Sequence, residues 1–341
     1  MKNLLKKKWF LISSGSVLVI AIVVAGLFFF KPTSSLMKKV AAKITRPNEP
    51  EAYCPIDGMP TTIEVSEQKP LGIMVENFAS IRPQSGLSKA CVVFEALAEG
   101  GITRFMAVFN HNTVKKIGPV RSARPYYVAL ATGFDAIYAH AGGSTVGLQK
   151  VKEYGVDSFD YNHMAAYWRQ SGIGAPHNLF TATSKLRSEA AKAGLKDADY
   201  TGFSFDKEKL KGSKATGIKI KFSSAAYEVK YLYDAKTKKY KRFNGGNEHI
   251  DANTKKQITP SNIVAVRAAT SMYDALTLNV AIIGKGEGYF FRNGKVIPIA
   301  WEKKAADSQI TFQNKEGEEV KFAPGQIWVE IVRPDTPVQF N

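Results

Sequence analysis

Glu95 and Glu99 stand four residues apart in the stretch CVVFEALAEGG. That spacing is expected to bring both onto one face of either a helix or a strand. Two neighbouring carboxylates, one protonated and one ionised, are what acid/base cleavage of a glycosidic bond requires. Arg104, Arg121 and Arg124 follow in GGITR and GPVRSAR, where they can keep one carboxylate ionised. Arg82, in RPQSG, is a fourth arginine set beside Gly, Pro or a loop boundary. A planar guanidinium fork suits a carboxylate or a phosphate. These four arginines can therefore converge on an anionic ligand, with His140 and His177 beside them. The competing role is internal pairing with Glu76, Glu95, Glu99 and Asp135, which would orient the loops and nothing more.

Other chemistry is thinner. His140 and Ser144 follow a strand-like run, but Val146 stands where a nucleophile elbow needs glycine. The five histidines are His111, His140, His163, His177 and His249, and none has metal-ligand spacing such as H-E-x-x-H. No metal and no cofactor is expected. Gly284, Gly286 and Gly288 form G-x-G-x-G with no helix after it, which predicts a turn or bulge and not a dinucleotide loop. Trp301 and Trp328 read as core. The two cysteines, Cys54 and Cys91, are open to a disulfide or to a buried free thiol at Cys91.

Two differently patterned segments must position these side chains. Residues 70–205 alternate strand-like and helix-like stretches. Leu71–Glu76 and Arg104–Asn110 read as strands, Cys91–Ala98 is ambiguous, and Ala136–His140 is a further strand. Arg124–Thr132, Ser144–Tyr154 and Thr181–Ala193 read as helices, the first with Ser122 as its cap and the last closed by Gly194. This alternation implies an α/β domain with a mixed sheet. Residues 206–341 are a succession of strand-like runs, with a hairpin signal at Asn293-Gly294, and imply an antiparallel β-rich domain.

The N-terminus predicts a compartment. Lys6, Lys7 and Lys8 precede an uncharged run from Trp9 to Phe30. Its length suffices for a transmembrane helix, and the lysines argue for an N-terminus inside and the bulk outside. Phe28, Phe29, Phe30 and Lys31 stand where a cleaved signal would carry small residues, so an uncleaved anchor is expected. Residues 31–69 hold five prolines and read as a stalk.

The chain has 341 residues and a formal net charge of +17, from 47 Lys+Arg against 30 Asp+Glu. Residues 1–46 carry +9, residues 47–205 are neutral, and residues 206–341 carry +8. More than half of the excess therefore belongs to the membrane segment and stalk, where anionic headgroups account for it. With the bulk outside, nucleic acid is not an expected partner.

The stretch PLGIMVENFASIRPQSGLSKACVVFEALAEGGITRFMAVF, followed by KIGPVRSARPYY and DAIYAHAGGS, resembles the YerB-like putative lipoproteins. GKGEGYFFRNGKVIPIAW and PGQIWVEIV resemble the β-rich C-terminal part of that family. The resemblance covers residues 70–335. It implies a two-domain bacterial envelope protein and carries no catalytic assignment. Two departures stand out. Family members often carry a lipid-modified cysteine after the signal, and no cysteine precedes Cys54 here. Cys91 also occupies a place where an acidic residue is more usual.

The combined expectation is a single-pass membrane protein that binds an anionic envelope polymer, or an envelope enzyme, through its arginine loops. A glycan-cleaving enzyme using Glu95 and Glu99 is the alternative, and a structural partner of a membrane complex is a third.

Overall fold

The computed structural model describes residues 50–162, 165–275 and 277–341. The anchor expected over Trp9–Phe30 lies outside them. Among the described residues no helix is long and apolar enough to cross a membrane. Contacts divide the chain into two units. In the first, Ala52–Tyr53 and Pro60–Thr61 form a short antiparallel hairpin. The second comprises Cys54–Met59 and Glu67–Asn341, so part of the segment read as a stalk is built into it. All that follows concerns this second unit.

Its centre is an eleven-stranded mixed sheet. Val92–Leu97, Thr103–Phe109 and Leu71–Glu76 pair antiparallel, and Leu71–Glu76 continues in parallel to Ile137–His140 and then Ser158–Asp160. On the other side, Val92–Leu97 pairs in parallel with Ile327–Val332, which pairs in parallel with Asn262–Arg267. Gly284–Arg292 and Lys295–Lys303 extend that flank as an antiparallel hairpin, and Ser213–Lys214 and Thr311–Gln313 pair with Lys295–Lys303 beyond it. Leu71–Glu76, Val92–Leu97 and Ile327–Val332 are buried along their whole length, as their near-continuous apolar sequences require of strands covered on both faces.

The fold is therefore mostly β, in two sequence domains joined through one sheet. The C-terminal segment departs from the antiparallel expectation, because the returning strand Ile327–Val332 inserts between Asn262–Arg267 and Val92–Leu97 and runs parallel to both. Alternation along a strand says nothing about the direction of its neighbour, which the long connections decide.

The two faces of the sheet have different covers. Val93, Phe105, Ile263 and Trp328 pack with Ile218, Val229, Tyr231 and Tyr240 of a second, antiparallel sheet. Phe94, Met106, Val264 and Val329 pack against Tyr127, Leu130 and Phe134 of the helix Pro125–Thr132 and the turn after it. That helix starts with Pro125 at its first turn, and its cap is Arg124, not the expected Ser122. The helix Thr145–Glu153 is capped by Ser144, whose hydroxyl accepts from the Gly147 N–H at 3.1 Å.

The Asn293-Gly294 hairpin forms with both residues at positive φ, 55° and 70°. The G-x-G-x-G run is not a turn, since all three glycines lie inside the strand Gly284–Arg292. They leave room for close neighbours. The Trp301 indole fills the space beside Gly286 and donates to the Arg267 carbonyl at 3.0 Å. A Cβ on Gly288 would stand 2.3 Å from the Ala265 carbonyl oxygen. Gly288→Ala is accordingly expected to cost roughly 1–3 kcal/mol, read as a lower denaturant midpoint at unchanged slope.

Candidate functional site

Alternation along the strands separates the candidate residues before any tertiary contact is considered. Glu76 and Arg104 are cross-strand partners. Both project to the helix-covered face, with their neighbours Met74 and Met106. Glu95 and Thr103 project to the face covered by the second sheet, with Val93 and Phe105.

On the helix side, the loop Gly118–Arg124 crosses the ends of the strands. Its Arg121 N–H donates to the Met74 carbonyl at 3.0 Å, and Ala141 N–H donates to the Arg121 carbonyl at 3.0 Å. The Arg121 guanidinium reaches Glu76 at 2.5 Å and the Pro176 carbonyl at 3.0 Å. His177 Nδ1 lies 2.8 Å from the same carboxylate, and its ring stacks on Phe78 with centroids 5.6 Å apart. His177 is 28% exposed, so this triad opens to solvent.

Arg124 binds both oxygens of Glu99, with contacts of 2.5–2.8 Å. Burial pushes the Glu99 carboxyl up, but Arg124 more than offsets this and holds it below the ordinary range. Arg104 is different. Its guanidinium donates to the Ser122 carbonyl at 3.1 Å and forms no ion pair with a described carboxylate. Burial and the neighbouring Arg124 charge both depress its pKa.

Glu95 belongs to another assembly. It is fully buried, and Oε1 accepts from Thr103 at 2.6 Å and from Asn77 at 3.2 Å. Oε2 accepts from Arg242, a residue of the second sheet that is itself fully buried. Arg242 lies 4.0 Å over the Trp328 ring, donates to the Tyr231 hydroxyl at 2.9 Å and stands 3.6 Å from Glu330. Burial works against the Arg242 charge, yet Tyr231, Glu95 and Glu330 hold it on. Glu330 is the register partner of Glu95, and burial, then the adjacent Glu95, push its carboxyl far up.

The two glutamates expected to share a face thus point away from one another's surroundings. The strand ends at Leu97, and Glu99 begins a turn in which Gly100 and Gly101 take φ of 68° and 70°. Regular alternation stops there. Arg82 is likewise spent internally, on Asn77, on the Ala226 carbonyl at 2.8 Å and over the Tyr227 ring. His140 is buried between the Gly142 carbonyl at 2.8 Å and the Ser158 hydroxyl at 2.7 Å, apart from His177. Burial pushes its pKa down. The structure brings together Arg104, Arg121, Arg124, Glu99 and His177, and adds Glu76.

Sequence reasoning missed Arg242 and Glu330, and it missed a cluster at the opposite end of the sheet. There Cys54, Asp57, Cys91 and His111 present ligand-type atoms all within 4.8 Å of one another. The cysteines are free, with Sγ atoms 3.9 Å apart. Burial pushes the Asp57 carboxyl up, but hydrogen bonding and charge from His111, 2.9 Å away, bring it below its usual range. The Cys54-x-x-Asp57 spacing was the available signal.

Comparison with known proteins bears on most of the chain. Residues 57–196 match the family described as "Protein of unknown function (DUF3048) N-terminal domain", and residues 218–329 match the corresponding C-terminal domain. The chain is 34% identical over 290 residues to a protein named "Putative lipoprotein YerB" from Bacillus subtilis (strain 168), covering 82% of this chain and 86% of that one. The crystal structure of the YerB protein from Bacillus subtilis superposes with a TM-score of 0.76 at 32% identity, over 84% of this chain and 99% of that one.

Proposed function

The chain belongs to the DUF3048 family, and from that premise we propose that it recognises an anionic cell-envelope ligand through the cluster of Arg104, Arg121 and Arg124. The observation that carries this reading is a local charge imbalance. Three guanidinium groups meet two carboxylates, Glu76 and Glu99, each already in contact with another arginine, and Arg104 forms no ion-pair contact of its own among the described residues. Holding an unneutralised cation in a half-buried position costs free energy unless an anion completes it. His177 and Phe78, on the solvent side, supply a stacked platform beside the charges.

The envelope location rests on other support. The Bacillus subtilis relative is named a lipoprotein. In this chain the run Trp9–Phe30 is the proposed single-pass anchor, because it is uncharged throughout, follows Lys6, Lys7 and Lys8, and has no cysteine directly after it. With that anchor, the membrane and a carboxylate- or phosphate-bearing wall polymer are the proposed partners, and nucleic acid is not. Glycan cleavage by Glu95 and Glu99 is not carried forward, since Glu95 is sealed from solvent and both its oxygens are occupied.

The test is retention of the full-length chain, in mild detergent, on purified cell wall. Arg104→Ala and Arg121→Ala are each expected to weaken retention roughly tenfold, equivalent to about 1.4 kcal/mol. Added salt should weaken the wild type and affect Arg104→Ala less. Retention unchanged in both variants, with melting temperatures unchanged, would sink the reading.

A further inference from the structure

We propose that Cys54, Asp57, Cys91 and His111 form a structural zinc site. The donor set is the first argument. Two sulfurs, an imidazole nitrogen and a carboxylate oxygen are the ligand types that zinc takes in closed tetrahedral sites. Zinc–sulfur bonds of about 2.3 Å in tetrahedral geometry place two sulfurs about 3.8 Å apart, and Cys54 and Cys91 have theirs at 3.9 Å. The Asp57–His111 contact of 2.9 Å is a direct hydrogen bond. Separating the pair by a few tenths of an ångström exchanges that bond for two bonds to the ion.

The fold holds these ligands from rigid positions. Cys91 immediately precedes the strand Val92–Leu97, and its N–H donates to the Val108 carbonyl at 2.8 Å. His111 comes just after the neighbouring strand Thr103–Phe109. Cys54 and Asp57 come from one tight loop, closed by Cys54 N–H to the Met59 carbonyl at 2.8 Å and by Gly58 N–H to the Cys54 carbonyl at 2.9 Å. Asp57 Oδ1 accepts from the Met59 N–H at 3.2 Å, which leaves Oδ2 directed at the cluster. Such outer contacts are what orient a ligating carboxylate.

Two further features fit an ion. The Tyr200 hydroxyl, within electrostatic range of both cysteines and Asp57, is buried without a hydrogen-bond partner among the described residues. A zinc-bound thiolate is a far stronger acceptor for that hydroxyl than a thiol, whose sulfur accepts only weakly. Arg187, also in range of Cys91, donates to the Lys69 and Asn110 carbonyls and forms no ion pair with a described carboxylate. Zinc, two thiolates and Asp57 sum to one negative charge, which Arg187 offsets. On binding, each thiol releases its proton to solvent as its sulfur–zinc bond forms, with no change in oxidation state. All four ligands are protein groups, so the site is closed and stabilises the fold; it needs nothing from the arginine cluster at the other end of the sheet.

The experiment uses the full-length chain purified in mild detergent with reductant and no chelator, with zinc measured by mass spectrometry. Close to one zinc per chain is expected, and Cys54→Ser with Cys91→Ser should abolish it. Because that variant can fail to fold, the wild type supplies a second reading. After chelation, cobalt should restore the intense visible bands of a tetrahedral thiolate complex, and zinc, but not magnesium, should raise the melting temperature by several degrees. A reduced chain that holds no zinc and takes up no cobalt would overturn the proposal. So would a mass lower by two hydrogens with Cys54 and Cys91 in one crosslinked peptide, which would make the pair a disulfide.

Discussion

Arg242→Ala is expected to cost the fold roughly 3–5 kcal/mol, the range for breaking a buried ion pair by removing one partner. For a chain of this size that lowers the melting temperature by on the order of 10 °C. Arg242 is fully buried, and among the described residues it is the cation in ion-pair contact with both Glu95 and Glu330, which face one another across paired strands. Its removal leaves the Glu95 oxygen without its cation and the Tyr231 hydroxyl without its donor. It also empties the face of Trp328, which loses a cation held 4.0 Å from its ring. Arg242→Lys should recover only part of the loss, since an ammonium cannot reach Tyr231, His249 and Glu95 as one planar fork does. Denaturant titration of the three proteins, compared at equal slope, checks this. A cost below about 1 kcal/mol for Arg242→Ala, typical of an exposed pair, would contradict the role given to it.

The second large effect is a pH dependence centred on His249. This ring is buried against Phe105 and Trp328, accepts from Arg242 at Nδ1 and donates from Nε2 to Gln84 Oε1 at 3.0 Å. Burial, then the positive charges of Arg242 and Arg82, push its pKa well below the ordinary value. A second ring proton would set two donors against each other. The unfolded chain takes up that proton as pH falls below about 6.5 and the folded chain does not, so stability is lost as pH falls. Glu330 acts in the opposite sense. Its raised pKa keeps a proton in the fold that the unfolded chain sheds above about 4.3, so its contribution weakens as pH rises from there. The two are separated by difference. His249→Gln keeps an acceptor for Arg242 and a donor for Gln84 but does not titrate. Between about pH 7.5 and pH 5.5 the wild type should lose about 1.4 kcal/mol relative to this variant. Parallel pH profiles would show that His249 is not held neutral.

Several features of this network were legible in the amino-acid order. The strand Leu71–Glu76 is legible to its ends, because a run of apolar residues covered on both faces leaves few alternatives. Asn293-Gly294 announced its hairpin, and the GPVRSAR loop announced an arginine cluster. Arg242 and Glu330 were not legible. Glu330 is a lone charge in IWVEIV and Arg242 follows Lys239 and Lys241 in KYKRFN, and a charge facing the core has the same local pattern as one facing solvent. Glu95 and Glu99 were misjudged together because a spacing rule holds only while the element continues, and Gly100 and Gly101 end it.

What the sequence by itself determined about this protein is therefore local: the strands, the helix at Pro125–Thr132, the hairpin turn and the loop that carries Arg121 and Arg124. Side-chain periodicity and turn chemistry are properties of neighbouring residues, and they need no distant partner. Only the tertiary structure decided partnership. It inserted Ile327–Val332 beside Val92–Leu97, set Glu330 against Glu95, supplied Arg242 from a second sheet, and drew Cys54 and Asp57 to Cys91 and His111. The reason is that burial strengthens electrostatic and ligand contacts without regard to separation along the chain. The strongest contacts here therefore join residues that no local pattern relates.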